Sequence, residues 1–110
     1  MTARPSPLPC PAYLAGSLRA RWETLAPELQ RLGTLDALNA DLLGKYILAE
    51  NEYLRISLLV QECIAQGDAE TGGKWIAAQD KLTKQILALG AELGINPRAR
   101  RARGLPIKTL

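Results

Sequence analysis

Apolar residues recur along this chain at helical spacing, and almost nowhere at the alternating spacing of a strand. Leu14, Leu18, Trp22, Leu25, Leu29 and Leu32 step by three or four residues and fall on one face, which predicts a helix over about residues 14–32. Pro27 lies inside that run and predicts either a kink or a second short helix starting there, and Gly33 marks the stop. A second helix is expected over about residues 35–66, with Thr34 as its cap and Asp36 and Asp41 near its positive end. It carries two stripes. Leu35, Leu38, Leu42, Tyr46, Ala49, Tyr53, Ile56 and Val60 form one, and Leu43, Ile47, Leu54, Leu58 and Ala65 form the other. Residues 67–73 read as a glycine turn, and Trp75, Ala78, Leu82, Ile86, Leu89 and Leu93 predict a third helix over about residues 74–93. The expected architecture is all-α: a long antiparallel helical hairpin behind a shorter N-terminal helix.

Two stripes on one helix exceed what a single packed face requires. One can be covered within the chain and the other needs a neighbour, so self-association is expected. The candidate interface comprises Leu43, Ile47, Leu54, Leu58, Trp75, Leu82 and Ile86. The length points the same way, because 110 residues form one small domain with a modest core. The absence of phenylalanine and the single valine also favour helices over sheet. Residues 1–11 hold four prolines and read as an extended arm, residues 12–95 as the helical oligomerisation domain, and residues 96–110 as a basic tail.

Charge sharpens this division. The net +3 conceals a tail of +5, from Arg98, Arg100, Arg101, Arg103 and Lys108, attached to a body of −2. The tail is a candidate for neutralising the phosphates of double-stranded DNA without reading sequence, with Arg19 and Arg21 of the first helix as a second candidate. Docking on a protein partner or simple solubilisation are the alternatives for the tail. Trp22 and Trp75 fall on apolar stripes, which favours packing over base stacking.

Residues able to carry catalysis are scarce. Histidine is missing, which removes Ser-His-Asp and Cys-His arrangements, and two distant cysteines cannot build a zinc site. Cys10 and Cys63 are expected as free thiols. Gly72-Gly73-Lys74 lacks the spacing of a phosphate-binding loop, and Glu50 and Glu52 point to different sides of a helix as surface carboxylates. No enzyme, cofactor, metal site or small-molecule substrate is expected. No apolar run reaches the roughly 20 residues of a membrane span, and no signal core is present, so a cytoplasmic protein is expected.

Three blocks resemble the small-terminase family of tailed phages and prophages. The first is residues 14–33, LAGSLRARWETLAPELQRLG. The second is the aspartate-started helix over residues 35–61 with Tyr46 and Tyr53. The third is residues 89–103, LGAELGINPRARRAR, similar to the family's Leu-Gly-(apolar)-(Thr/Ser/Asn)-Pro-x-Ala-Arg ending. The resemblance implies a ring, with roughly eight or nine subunits as the first expectation. It also implies a large terminase subunit supplying ATPase and nuclease, and double-stranded DNA as the other partner. No helix-turn-helix domain precedes Leu14 and little chain follows the basic tail. That implies a minimal member with little sequence choice, from a bacterial host's prophage or a gene transfer agent. A helical-hairpin assembly protein with no nucleic-acid role is the competing expectation. A small DNA-binding regulator is a third, without helix-turn-helix spacing to support it.

Overall fold

The computed structural model describes residues 7–95. Within them the chain forms three helices and no strand: α1 (Ser17–Arg31), α2 (Ala40–Ala65) and α3 (Ala69–Leu93). The basic tail and the first half of the proline arm lie outside the described residues.

All three helices stop in the same way. Gly33, Gly67 and Gly94 take positive φ values of 79°, 73° and 69°, where a side chain would be strained. Beyond each glycine the chain turns back on the helix. Thr34 N–H donates to Leu29 O, Asp68 N–H to Cys63 O and Ile95 N–H to Gly90 O, at 2.9–3.0 Å. Each glycine N–H satisfies a second terminal carbonyl, which completes the Schellman arrangement.

The helix starts differ from the sequence expectation, and local polar bonds explain why. α1 begins at Ser17 rather than Leu14, because Gly16 adopts φ 58° after a turn closed by Leu14 N–H on Pro11 O at 3.0 Å. Leu14 still packs into the core, from outside the helix. Pro27 neither ends α1 nor starts a new helix.

α2 begins at Ala40 rather than Leu35. Asp36 and Asn39 hold the intervening backbone in a turn of their own. Asp36 Oδ1 accepts from Leu38 N–H at 2.8 Å, Asn39 Oδ1 accepts from Asp36 N–H at 2.8 Å, and Asn39 Nδ2 donates to Thr34 O at 2.9 Å. Thr34 is no cap. It is buried with its hydroxyl donating to Leu29 O, while Leu38 is pushed fully into solvent.

The connection between α2 and α3 is shorter than the glycine content suggests. Only residues 66–68 lie between the helices, because Asp68 Oδ1 caps α3 by accepting from Thr71 N–H at 3.1 Å. That bond also holds the Asp68 carboxyl below its ordinary pKa. Gly72 and Gly73 therefore fall in the first turns of α3. Gly72 is buried, and a Cβ there would stand 3.3 Å from Cys63 Cβ, so the glycine permits a close approach of α2 to α3.

The helices α2 and α3 touch along their lengths. Besides Gly72 against Cys63, Gln79 Nε2 donates to Ser57 Oγ at 2.5 Å, and Gly90 leaves room for the ring of Tyr46. α1 packs on the far end of this pair. Trp22, Leu25, Ala26 and Leu29 join Leu43, Tyr46, Ile47 and Leu93 in one buried cluster, with Leu14 and Leu35 closing it from either side of α1. The core thus sits at one end of the α2–α3 pair. Beyond it α2 and α3 continue as a pair, with Ile56 the one large apolar side chain fully buried there among the described residues. Among the described residues no helix is long and apolar enough to cross a membrane.

Truncation of the core stripe should be costly, and truncation of its continuation cheap. Leu43 is fully buried, so Leu43→Ala is expected to lower unfolding free energy by about 2–5 kcal/mol. Leu58 is 67% exposed, so Leu58→Ala should change it by less than about 0.5 kcal/mol. Urea titrations at the lowest workable protein concentration check both.

Candidate assembly and DNA-contacting surfaces

Where α1 begins, it leaves a groove against the flanks of α2 and α3. The groove has a volume of about 590 Å³, with Leu18 and Arg21 on the α1 side, Ile47, Glu50 and Leu54 from α2, and Ile86 and Leu87 from α3. Most of this lining is apolar. Leu54 and Leu87 are 63% and 58% exposed.

One polar cluster sits at its edge. Arg21 donates from Nε and an Nη to the two carboxylate oxygens of Glu50, at 3.3 and 3.4 Å, tying α1 to α2. Burial pushes the Tyr46 pKa above its ordinary value. The negative charge of Glu50 adds to the rise and Arg21 opposes it. Glu50 is therefore a half-buried structural carboxylate, not the surface one expected from sequence, while Glu52 pairs with Arg55 one turn on.

The candidate interface residues divide. Leu43 and Ile47 are sealed in the core of their own chain, beneath α1, and have no surface for a neighbour. The reason is that α1 covers the first half of their stripe. Leu54 and Leu58 continue that stripe in the open, and Ile86 is half-buried beside them. Leu82 lines a second, smaller depression of about 240 Å³ with Lys45, Leu48, Glu52 and Gln85. Trp75 is half-buried on α3.

The candidate DNA contacts divide as well. Arg19 pairs with Glu23 at 3.1 Å on exposed α1, and Arg21 is held by Glu50, so both charges have acid partners within the chain. Arg98, Arg100, Arg101, Arg103 and Lys108 lie outside the described residues. The described bases that form no ion pair among these residues are Lys74, Lys81 and Lys84, all exposed on α3. In sequence Glu70 and Asp80 stand one turn before Lys74 and Lys84, at the spacing of a helical ion pair, so no local signal sets these lysines apart. No group of three potential metal ligands occurs among the described residues.

A family model described as phage terminase, small subunit, matches residues 19–106. The chain belongs to the phage terminase small-subunit family. The match runs from the first turn of α1 through α2 and α3 into the tail arginines, so all of the groove lining except Ser17 and Leu18 lies inside it. Membership supports a role in phage DNA packaging, in a family whose members are generally non-catalytic and whose packaging partners include the large terminase and DNA. No curated protein and no solved structure matches the chain.

The groove cluster gives a pH signature. A phenol with a raised folded pKa loses its proton first in the unfolded chain. The stabilisation is whole below the unfolded value of about 10 and is lost as pH rises through the folded value. Wild type should therefore lose stability more steeply than Tyr46→Phe between about pH 9 and 11. Parallel urea titrations of the two proteins measure the difference, and equal slopes would contradict the assignment.

Proposed function

We propose that this chain is a non-catalytic DNA-packaging adaptor. It assembles through a long antiparallel helical hairpin into a ring, holds duplex DNA weakly and with little sequence preference, and recruits or regulates the large terminase ATPase/nuclease in the cytoplasm of a bacterial host. The family match supplies the packaging role. The observation that carries the assembly is the continued apolar stripe, Leu54 and Leu58, exposed on a helix whose other half is packed. A hairpin of opposed helices accounts for the pairings of Cys63 with Gly72, Ser57 with Gln79 and Tyr46 with Gly90, which spread in opposite directions from residues 66–68.

For DNA, the tail is favoured over α1. Arg19 and Arg21 would have to break existing ion pairs before meeting a phosphate, whereas Arg98, Arg100, Arg101 and Arg103 have no acid in their own segment. Tails gathered on one ring act together, so individually weak contacts gain by avidity. Nothing in such contacts reads base edges.

Fluorescence anisotropy with unrelated duplexes tests the DNA side. Similar affinities for all sequences are expected, falling steeply with salt. Replacing the four tail arginines by alanine should reduce the log–log salt slope by up to about 3.6 per chain engaged, at about 0.9 per phosphate contact. An unchanged slope would remove the tail as the contact, and absence of binding even at low salt would favour an assembly protein with no nucleic-acid role.

A further inference from the structure

The segment before α1 is seated on the body, although the family match begins only at residue 19. Leu8 and Cys10 are half-buried against the core cluster and Leu14 is buried within it, while the intervening Pro9 and Ala12 are exposed. Tyr13 reaches α2. Gly44 is buried there, and a Cβ on it would stand inside contact distance of Tyr13 Oη and 3.1 Å from Cζ. Glycine leaves a notch at this position, and the phenol tip fills it although Tyr13 as a whole is 51% exposed.

Side chains do the holding. The backbone bonds of the segment are local: Leu14 N–H donates to Pro11 O at 3.0 Å and Leu18 N–H to Ala15 O at 3.2 Å. Pro7, Pro9 and Pro11 have no N–H to give. The Cys10 thiol is also turned on its own segment, with Sγ 3.6 Å from Pro11 O. Among the described residues no backbone hydrogen bond ties the segment to α2 or α3. It ends at Gly16, which has φ 58° and open space where a Cβ would stand. Lifting it away therefore breaks apolar contacts but no ladder of hydrogen bonds, the condition for a local opening that leaves the rest folded.

We propose that residues 8–16 form a strap that opens and closes as a unit, hinged at Gly16 and latched by Tyr13 in the Gly44 notch. Closed, it seals the packed end of the core. Open, it uncovers the seat of Leu14 and frees the backbone just before Ser17 and Leu18, the α1 edge of the groove. Whatever displaces Tyr13 from Gly44 releases the whole segment. The device does not depend on the assembly or the DNA contacts proposed above.

The two free thiols report on it within one chain. Cys10 lies in the strap, and Cys63 lies near the other end of α2, against Gly72. The full chain is alkylated with iodoacetamide under native conditions, and labelling of each cysteine is followed by peptide mass. In wild type Cys10 should react at least roughly 10-fold more slowly than in urea. Gly44→Ala places a methyl group in the notch while favouring the helix, and Tyr13→Ala empties the notch at a half-exposed position. Each should speed Cys10 labelling roughly 10-fold and leave Cys63 unchanged. The double variant should label no faster than the faster single one, because both substitutions remove the same contact. Circular dichroism confirms that the variants stay helical.

Cys10 labelled as fast in wild type as in urea would show that no strap closes. Unchanged labelling in both single variants would remove Tyr13 and Gly44 as the latch. Effects that multiply in the double variant would show that the two residues act separately. Cys10 and Cys63 speeding up together would mean a general loosening in place of a strap.

Discussion

α2 presents more apolar surface than the described chain can cover, and the rest of the structure follows from how that surface is shared. Its wide face packs on α3. Its second stripe receives α1, whose Trp22, Leu25 and Leu29 close over Leu43 and Ile47. α1 spans 15 residues and α2 spans 26, so about 23 Å of helix faces about 39 Å. The mismatch leaves a packed end and an open end on one rigid rod. The packed end holds the fold together. The open end is the surface on which assembly is proposed, and the groove marks the boundary between them.

Electrostatics reinforce that division. Arg21 and Glu50 anchor α1 at the groove edge, and the exposed pairs along α1 and α2 close locally within a turn. Such surface pairs contribute little stability each, but they leave the body with few bases free to meet a polyanion. Lys74, Lys81 and Lys84 are the exceptions among the described residues, and they are interspersed with Glu70 and Asp80. The concentrated positive charge lies in the tail, and the proposal that DNA is held there follows from that separation of apolar body and basic end.

Much of the fold was legible because it is written in spacing and glycines. Three- and four-residue steps found the three helices, and Gly33 and Gly94 marked real stops by their positive φ. The starts were misjudged where a short polar side chain bonds backbone instead of extending a helix. Asp36 and Asn39 delay α2, and Asp68 advances α3 into glycines that composition assigns to a turn. At the candidate site, periodicity put Leu43, Ile47, Leu54 and Leu58 on one stripe. It could not say where α1 would begin, and that decides which of them are core. The Arg21–Glu50 bond was hidden for a similar reason, since it joins residues 29 apart through a packing angle no local pattern encodes.

The central claim is that the open half of the stripe is covered by another copy while the closed half is covered by α1. Hydrogen–deuterium exchange of the full chain across a wide dilution series tests it residue by residue. Amides around Leu54 and Leu58 and from Thr83 to Leu87 should gain protection as concentration rises, while those around Leu43 and Ile47 stay protected at every dilution. Protection at Leu54 and Leu58 that is the same at all concentrations would contradict the account, because the cover would then come from within the chain or not exist.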